Sequence, residues 1–185
     1  MANRSKKVVL SARIDPFLKS GMDALSAFTN QKIVKLLETL IENGLNDRVV
    51  KNPFSDSPEN KDLPLMRLLK AVWSEDEILY QLRLGVLSRL GVKCTSEDVS
   101  VITAEVLDNE RFKGECDLFD GVTGLSKEAG NIRFKYMVDI GRVRDEWKSL
   151  NTYSMFSRNN RPLAISYDQF LIVVGIQRDY SKVVI

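Results

Sequence analysis

At 185 residues, 44% apolar and 28% charged, the chain has the balance of a folded, soluble protein with one ordinary domain or two small ones. It contains no histidine, which removes the commonest general base, the Ser-His-Asp and Cys-His nucleophile systems, and the usual zinc, nickel or copper ligand sets. No enzymatic activity and no cofactor are therefore expected. Net charge is only +2, but Arg4, Lys6, Lys7 and Arg13 fall within the first 14 residues with no acid among them, whereas residues 63–185 hold 17 basic and 17 acidic groups. A basic arm ahead of a neutral body points to a polyanion partner at the N-terminus.

No apolar run approaches the roughly 20 residues that span a bilayer, and the N-terminus has no apolar signal region, so a cytoplasmic protein without a membrane partner is expected. Cys94 and Cys116 stand in no metal-ligand or redox spacing and read as buried small hydrophobes in a reducing compartment.

In chain order, Val8–Ile14 alternates. One face presents Val8, Leu10, Ala12 and Ile14; the other presents Lys7, Val9, Ser11 and Arg13. Asp15 suits an N-cap and Pro16 the first helical position, so this strand passes directly into a helix from 16 to about 28, with Leu18, Met22 and Leu25 on one stripe. Thr29 suits the cap of a second helix, "NQKIVKLLETLIENG", with Ile33, Val34, Leu37, Leu40 and Ile41 apolar and Gly44 as its stop. "VVKNPFSDSPENKD" (49–62), with two prolines and three acids, reads as a linker.

Beyond it lies a second domain over 63–185, of α+β class. Helical spacing marks "LPLMRLLKAVW"; Ser74 with Glu77 caps a helix that Gly91 ends; Thr95 with Asp98 opens a third. From about residue 112, "IRFKYMVDI" (132–140), "LAISYD" (163–168) and "FLIVVGIQ" (170–177) read as strands of a small sheet, with "VRDEWKSL" a short helix between them. The Glu-x-Lys pair in "DEWK" (145–148) has the residue types of some metal-dependent nucleases, but on a helix with no placed upstream Asp it reads as a surface ion pair. Arg142, Arg144, Lys148, Arg158 and Arg161 interleave with Asp139, Asp145 and Glu146 and read as solvated surface rather than a second polyanion site.

A strand and two helices in about 40 residues cannot satisfy the strand's backbone or bury enough surface alone. With no second strand nearby in sequence, the economical partner is another copy of the chain. Two antiparallel strands then form a ribbon whose outward face fits the DNA major groove.

Residues 7–46, "VVLSARIDPFLKSGMDALSAFTNQKIVKLLETLIENGL" at their heart, resemble the ribbon-helix-helix family of DNA-binding regulators. The resemblance implies an intertwined homodimer on double-stranded DNA, with a DNA-binding domain over 1–48. It implies base contacts from Val9, Ser11 and Arg13. It also implies phosphate contacts at the second helix's N-terminus, around Thr29, Asn30, Gln31 and Lys32, and Lys6 and Lys7 in the arm are expected to meet phosphates too. Many members carry a glycine in the inter-helix turn, where this chain reads "AFTNQK". The family's nickel-sensing branch depends on histidines, which this chain lacks.

The expected function is sequence-specific repression of transcription, with residues 63–185 assembling dimers into higher oligomers or sensing a signal. Two alternatives share the DNA-binding or partner chemistry: a plasmid or phage partition or relaxosome accessory protein, and an antitoxin whose second domain masks a partner protein.

Overall fold

Asp15 begins the first regular element. Its carboxylate accepts a hydrogen bond from the Phe17 N–H at 2.8 Å and Pro16 takes the first helical position, giving α1 over Pro16–Thr29. The computed structural model describes residues 9, 11–54, 61–122, 136–163 and 165–180, the last five of these by backbone alone. Over these residues the chain is mixed, with seven α-helices and two small antiparallel sheets of two strands each. It divides into two compact units, Met1–Asp47 and Arg48–Ile185.

In the first unit α1 ends on Asn30, which adopts the left-handed conformation at φ 53°. The N–H groups of Asn30 and Gln31 turn back to the carbonyls of Ala27 and Ser26 at 3.4 and 3.2 Å. Asparagine tolerates this backbone better than other side-chain-bearing residues, so it does here what glycine does in a helix-ending turn. The second helix, α2, spans Ile33–Asn46. Thr29 does not cap it as expected: Thr29 closes α1, and its hydroxyl donates to the Leu25 carbonyl at 2.7 Å. Nor does Gly44 stop α2, which continues two residues further. An exposed helical glycine costs only about 1 kcal/mol relative to alanine, too little to end a helix by itself.

The ribbon strand expected at Val8–Ile14 is not found among the described residues. Val9 and Ser11–Asp15 carry no strand pairing, and Val8 and Leu10 lie outside the described residues. The first strand, β1, is Val49–Lys51, inside the segment expected as a linker. It pairs with β2, Asp62–Pro64, in the register Val49–Pro64, Val50–Leu63 and Lys51–Asp62. Asn52 makes the turn out of β1, its side-chain oxygen accepting from the Phe54 N–H at 3.0 Å. Phe54 is thereby tucked into the core, edge-on to Phe119 with ring centroids 5.2 Å apart. One aromatic and two paired strands make residues 49–54, 61 and 62 part of the second unit, which the prolines alone did not reveal; residues 55–60 of the expected linker lie outside the described residues.

That unit continues with α3 (Leu65–Val72), α4 (Glu77–Arg89) and α5 (Glu97–Asp108), the three expected helices. The caps differ from expectation. Asp76, not Ser74, accepts from the N–H groups of Ile78 and Leu79, and Ser96, not Thr95, accepts from Val99. Gly91, at φ 94°, lies just past the end of α4 as expected. A 3₁₀ turn at Glu110–Phe112 leads to β3 (Cys116–Asp117), which pairs with β4 (Met137–Val138). Of the strand expected over 132–140, residues 132–135 lie outside the described residues and Ile140 already belongs to α6. Asp139 caps that helix through the Arg142 N–H at 3.0 Å, and α6 runs to Asn159, 20 residues in all.

The strands expected at 163–168 and 170–177 are corrected by α7, Tyr167–Tyr180. Ser166 and Gln169 form a reciprocal capping box: the Gln169 N–H donates to the Ser166 hydroxyl at 3.3 Å, and the Ser166 N–H to the Gln169 side-chain oxygen at 2.9 Å. Tyr167, Phe170, Leu171 and Val174, at the i, i+3, i+4, i+7 spacing of one helical face, pack on the core. A short apolar run cannot tell a buried strand from a helix, and here the capping box decides. Tyr153 stands edge-on to Tyr167 at 5.4 Å, and its hydroxyl donates to the Ile165 carbonyl at 3.0 Å. Burial, together with the Glu146 carboxylate that the Tyr167 hydroxyl donates to at 3.1 Å, pushes the Tyr167 phenol well above its ordinary range.

Where α4 crosses α5, the Thr103 hydroxyl is buried with no hydrogen-bond partner among the described residues. A desolvated, unbonded hydroxyl is costly, and valine has nearly the same shape. Thr103→Val should therefore raise the stability of the second unit by about 1 kcal/mol. Chemical denaturation checks this; a loss of comparable size would show that the hydroxyl is bonded in solution.

Candidate nucleic-acid interface

The residues expected to meet DNA stand at the surface of the first unit. Val9 is 91% exposed, and Ser11 and Arg13 are exposed beside it. Arg13 makes no ion pair or hydrogen bond to another described residue. The nearest acid in sequence, Asp15, is committed to capping α1. Asp23 is taken by Lys19 at 2.5 Å and Glu38 by Lys35 at 3.7 Å. Among the described residues, the guanidinium of Arg13 is thus left without a partner. Lys6 and Lys7 lie outside the described residues.

Thr29 ends α1, Asn30, Gln31 and Lys32 form the turn to α2, and all four are exposed. Lys32 occupies the N-cap of α2, and no side chain bonds to the first-turn N–H groups. A helix start without a side-chain cap leaves backbone donors open at the positive end of the helix dipole, with the Lys32 ammonium beside them. The Ser26 hydroxyl donates to the Gln31 carbonyl at 2.6 Å, which fixes the turn from the α1 side.

The two helices bury little. Leu36 is their one buried residue, at 6% exposure, and it is not on the apolar face expected from the sequence. Leu18, Leu25, Val34, Leu40 and Ile41, which are on that face, are exposed, while Met22, Ile33 and Leu37 are half-buried. Two further aromatics escaped the sequence reading: Phe17 at 80% and Phe28 at 91% exposure. With Gly21 and Ala24 they occupy i, i+4, i+7 and i+11 of α1, a second apolar stripe that the spacing does signal. Seven large apolar side chains stand exposed around one buried leucine.

In the second unit four of the five basic residues considered as a rival site are engaged, while the exposed Lys148 makes no side-chain contact of this kind to a described residue. Arg158 pairs with Asp98 at 2.8 Å, Arg161 with Glu97 at 2.6 Å, and Arg144 with Asp76. Burial works against the Asp76 carboxylate, but Arg144 and the N–H groups of Leu79 and Ile78 hold it below its ordinary range. Arg142 donates to the Arg111 carbonyl at 3.1 Å. Glu146 of the "DEWK" stretch accepts from Arg111 at 2.8 Å. Among the described residues no group of three or more Cys, Asp or Glu could hold a metal ion, and no helix is long and apolar enough to cross a membrane.

Cys94 and Cys116 are free thiols and half-buried rather than buried, and burial pushes the Cys94 thiol up. Arg83 is the charged residue whose role sequence spacing gave no sign of. Only 6% exposed, it donates to the carbonyls of Leu118 (2.5 Å), Val72, Trp73 and Asp120 (3.3 Å each). Burial draws its basicity down, while Cys116 and the surrounding aspartates oppose this.

Comparison with known proteins adds no relative: no family model, no curated protein and no solved structure matches the chain.

Proposed function

We propose that residues 1–47 of two copies assemble into a ribbon-helix-helix unit, and that the protein is a sequence-specific DNA-binding regulator that represses transcription by occupying an operator. The observation that carries this reading is the uncovered apolar surface of α1 and α2 next to an alternating segment that has no strand partner among the described residues. A strand that pairs only with another copy has no partner within one chain. Covering even half of the seven exposed side chains would contribute on the order of 5–10 kcal/mol per chain, enough to offset the ordering of a short segment. The outward face of the ribbon would then present Val9, Ser11 and Arg13 to the major groove, with the open start of α2 set against a phosphate.

Titration of the full chain against labelled random-sequence duplex tests the DNA arm. Micromolar binding that weakens steeply with salt is expected; no binding at low salt would sink the reading. The assembly arm has its own test. Residues 1–47 alone should be folded only as a dimer, with a melting temperature that rises with concentration. Ala12→Lys, which puts a charge on the ribbon's apolar face, should abolish folding of that fragment. A folded monomer of residues 1–47 would contradict the dimer.

A further inference from the structure

A half-open hollow of about 310 Å³ lies in the second unit, lined by Val50, Lys51, Leu65, Leu90, Gly91, Val92 and Lys93. Its floor is apolar, from β1, the start of α3 and the stretch that follows α4. Two exposed lysines are among its lining residues, Lys51 on β1 and Lys93 two residues past Gly91. Among the described residues, no carboxylate lines it.

In this unit the exposed lysines at 51, 61, 70, 93 and 148 have no ion pair among the described residues, and Lys51 and Lys93 are the two that line the hollow. Its surface arginines at 89, 111, 144, 158 and 161 are all held by carboxylates, whereas Lys51 and Lys93 have no ion pair or hydrogen bond from their side chains to described residues. Asp62 faces Lys51 across the β1–β2 register, yet it is neither paired with Lys51 nor part of the lining. Apolar walls and a few convergent polar groups are the ordinary make-up of a small-ligand site, and this volume is at the lower end of the usual range. A ligand of about ten to fifteen non-hydrogen atoms is the size that fits.

We propose that this hollow binds a small amphipathic anion, a medium-chain or aryl carboxylate, with its apolar body against Val50, Leu65, Leu90 and Val92 and its charged head between Lys51 and Lys93. The hollow belongs wholly to Arg48–Ile185, so this proposal stands or falls separately from DNA binding by the first unit. β1 begins two residues after the boundary between the units, which makes a ligand seated on it well placed in sequence to act as an effector.

Octanoate and its uncharged counterpart 1-octanol are suitable probes, each titrated into the full chain and followed by calorimetry and by amide chemical shifts. Saturable binding of octanoate at about 1 mM or tighter is expected. It should be roughly five- to tenfold tighter than that of octanol, with shifts centred on Val50, Leu65, Gly91 and Val92. In Lys51→Met/Lys93→Met the carboxylate preference should fall to about twofold or less while octanol still binds. No saturable binding, equal binding of both probes in the unaltered protein, shifts centred elsewhere, or a preference that survives loss of both lysines would each overturn the proposal.

Discussion

Gly85→Ala should destabilise the second unit by about 2–3 kcal/mol, even though alanine is the better helix former. Gly85 lies inside α4 where it crosses α5, and a Cβ there would come within 1.9 Å of the Thr103 hydroxyl and 2.5 Å of Thr103 Cβ. Rotating the threonine side chain can move its hydroxyl but not its Cβ, so the helices themselves must part. Around this crossing Leu82, Val86, Ile102 and Val106 are fully buried, and separation loosens all of them. Thr103→Gly removes the obstructing atoms. The double variant Gly85→Ala/Thr103→Gly should therefore lose clearly less stability than the sum of the two single losses. Urea denaturation of the four proteins measures this. Simple additivity would mean that the two positions do not meet.

Arg13→Ala should cost about 1–3 kcal/mol of binding energy per half-site and flatten preference at one operator position. The physical basis is the exposed guanidinium, which has no partner among the described residues and is a group that can bond guanine O6 and N7 together. Lys6→Ala/Lys7→Ala should act differently. Lysines in a basic arm meet phosphates, so their loss should weaken binding to every sequence alike and shallow the salt dependence by roughly 0.9 per lost contact. Titrating preferred and scrambled duplexes at several salt concentrations separates the two behaviours. If Arg13→Ala weakens both duplexes equally, the segment does not read bases. If it changes neither, the DNA-binding surface is not the N-terminal unit.

Legibility in the sequence followed how local each signal was. Asp15-Pro16 is a complete helix start, and α1 begins there. Gly91 beyond an apolar-periodic stretch likewise marked the end of α4. The turn after α1 is not legible because asparagine can take the left-handed conformation normally given to glycine, and Thr29 has the right chemistry for a cap but donates backwards instead. The caps at Asp76 and Ser96 lie within two residues of the expected ones because neighbouring Ser, Thr and Asp all fit the role, and only the path of the chain chooses among them. The 163–177 stretch was read by composition, in which β-branched residues suggest strands, when Ser166 and Gln169 already spelled a helix start.

Long-range features were not legible. Nothing local announces that Phe54, flanked by turn residues, is a core anchor, or that Arg83 in the middle of a helix ties together carbonyls more than 30 residues away in sequence. The candidate DNA-contacting residues were named from one short alternating stretch and the family it resembles. The structure adds that the side chains of Arg13 and Lys32 make no ion pair with a described residue, and that α1 carries a second apolar stripe in Phe17 and Phe28.

Selection of bound duplexes from a random DNA pool by the full-length chain tests the central claim most directly. A ribbon built from two identical strands has two-fold symmetry, so the enriched sequences should contain a short inverted repeat with closely spaced half-sites, each containing a guanine whose enrichment disappears with Arg13→Ala. Recovery of sequences no different from the starting pool, or of a motif without two-fold symmetry, would contradict a ribbon-helix-helix dimer reading DNA.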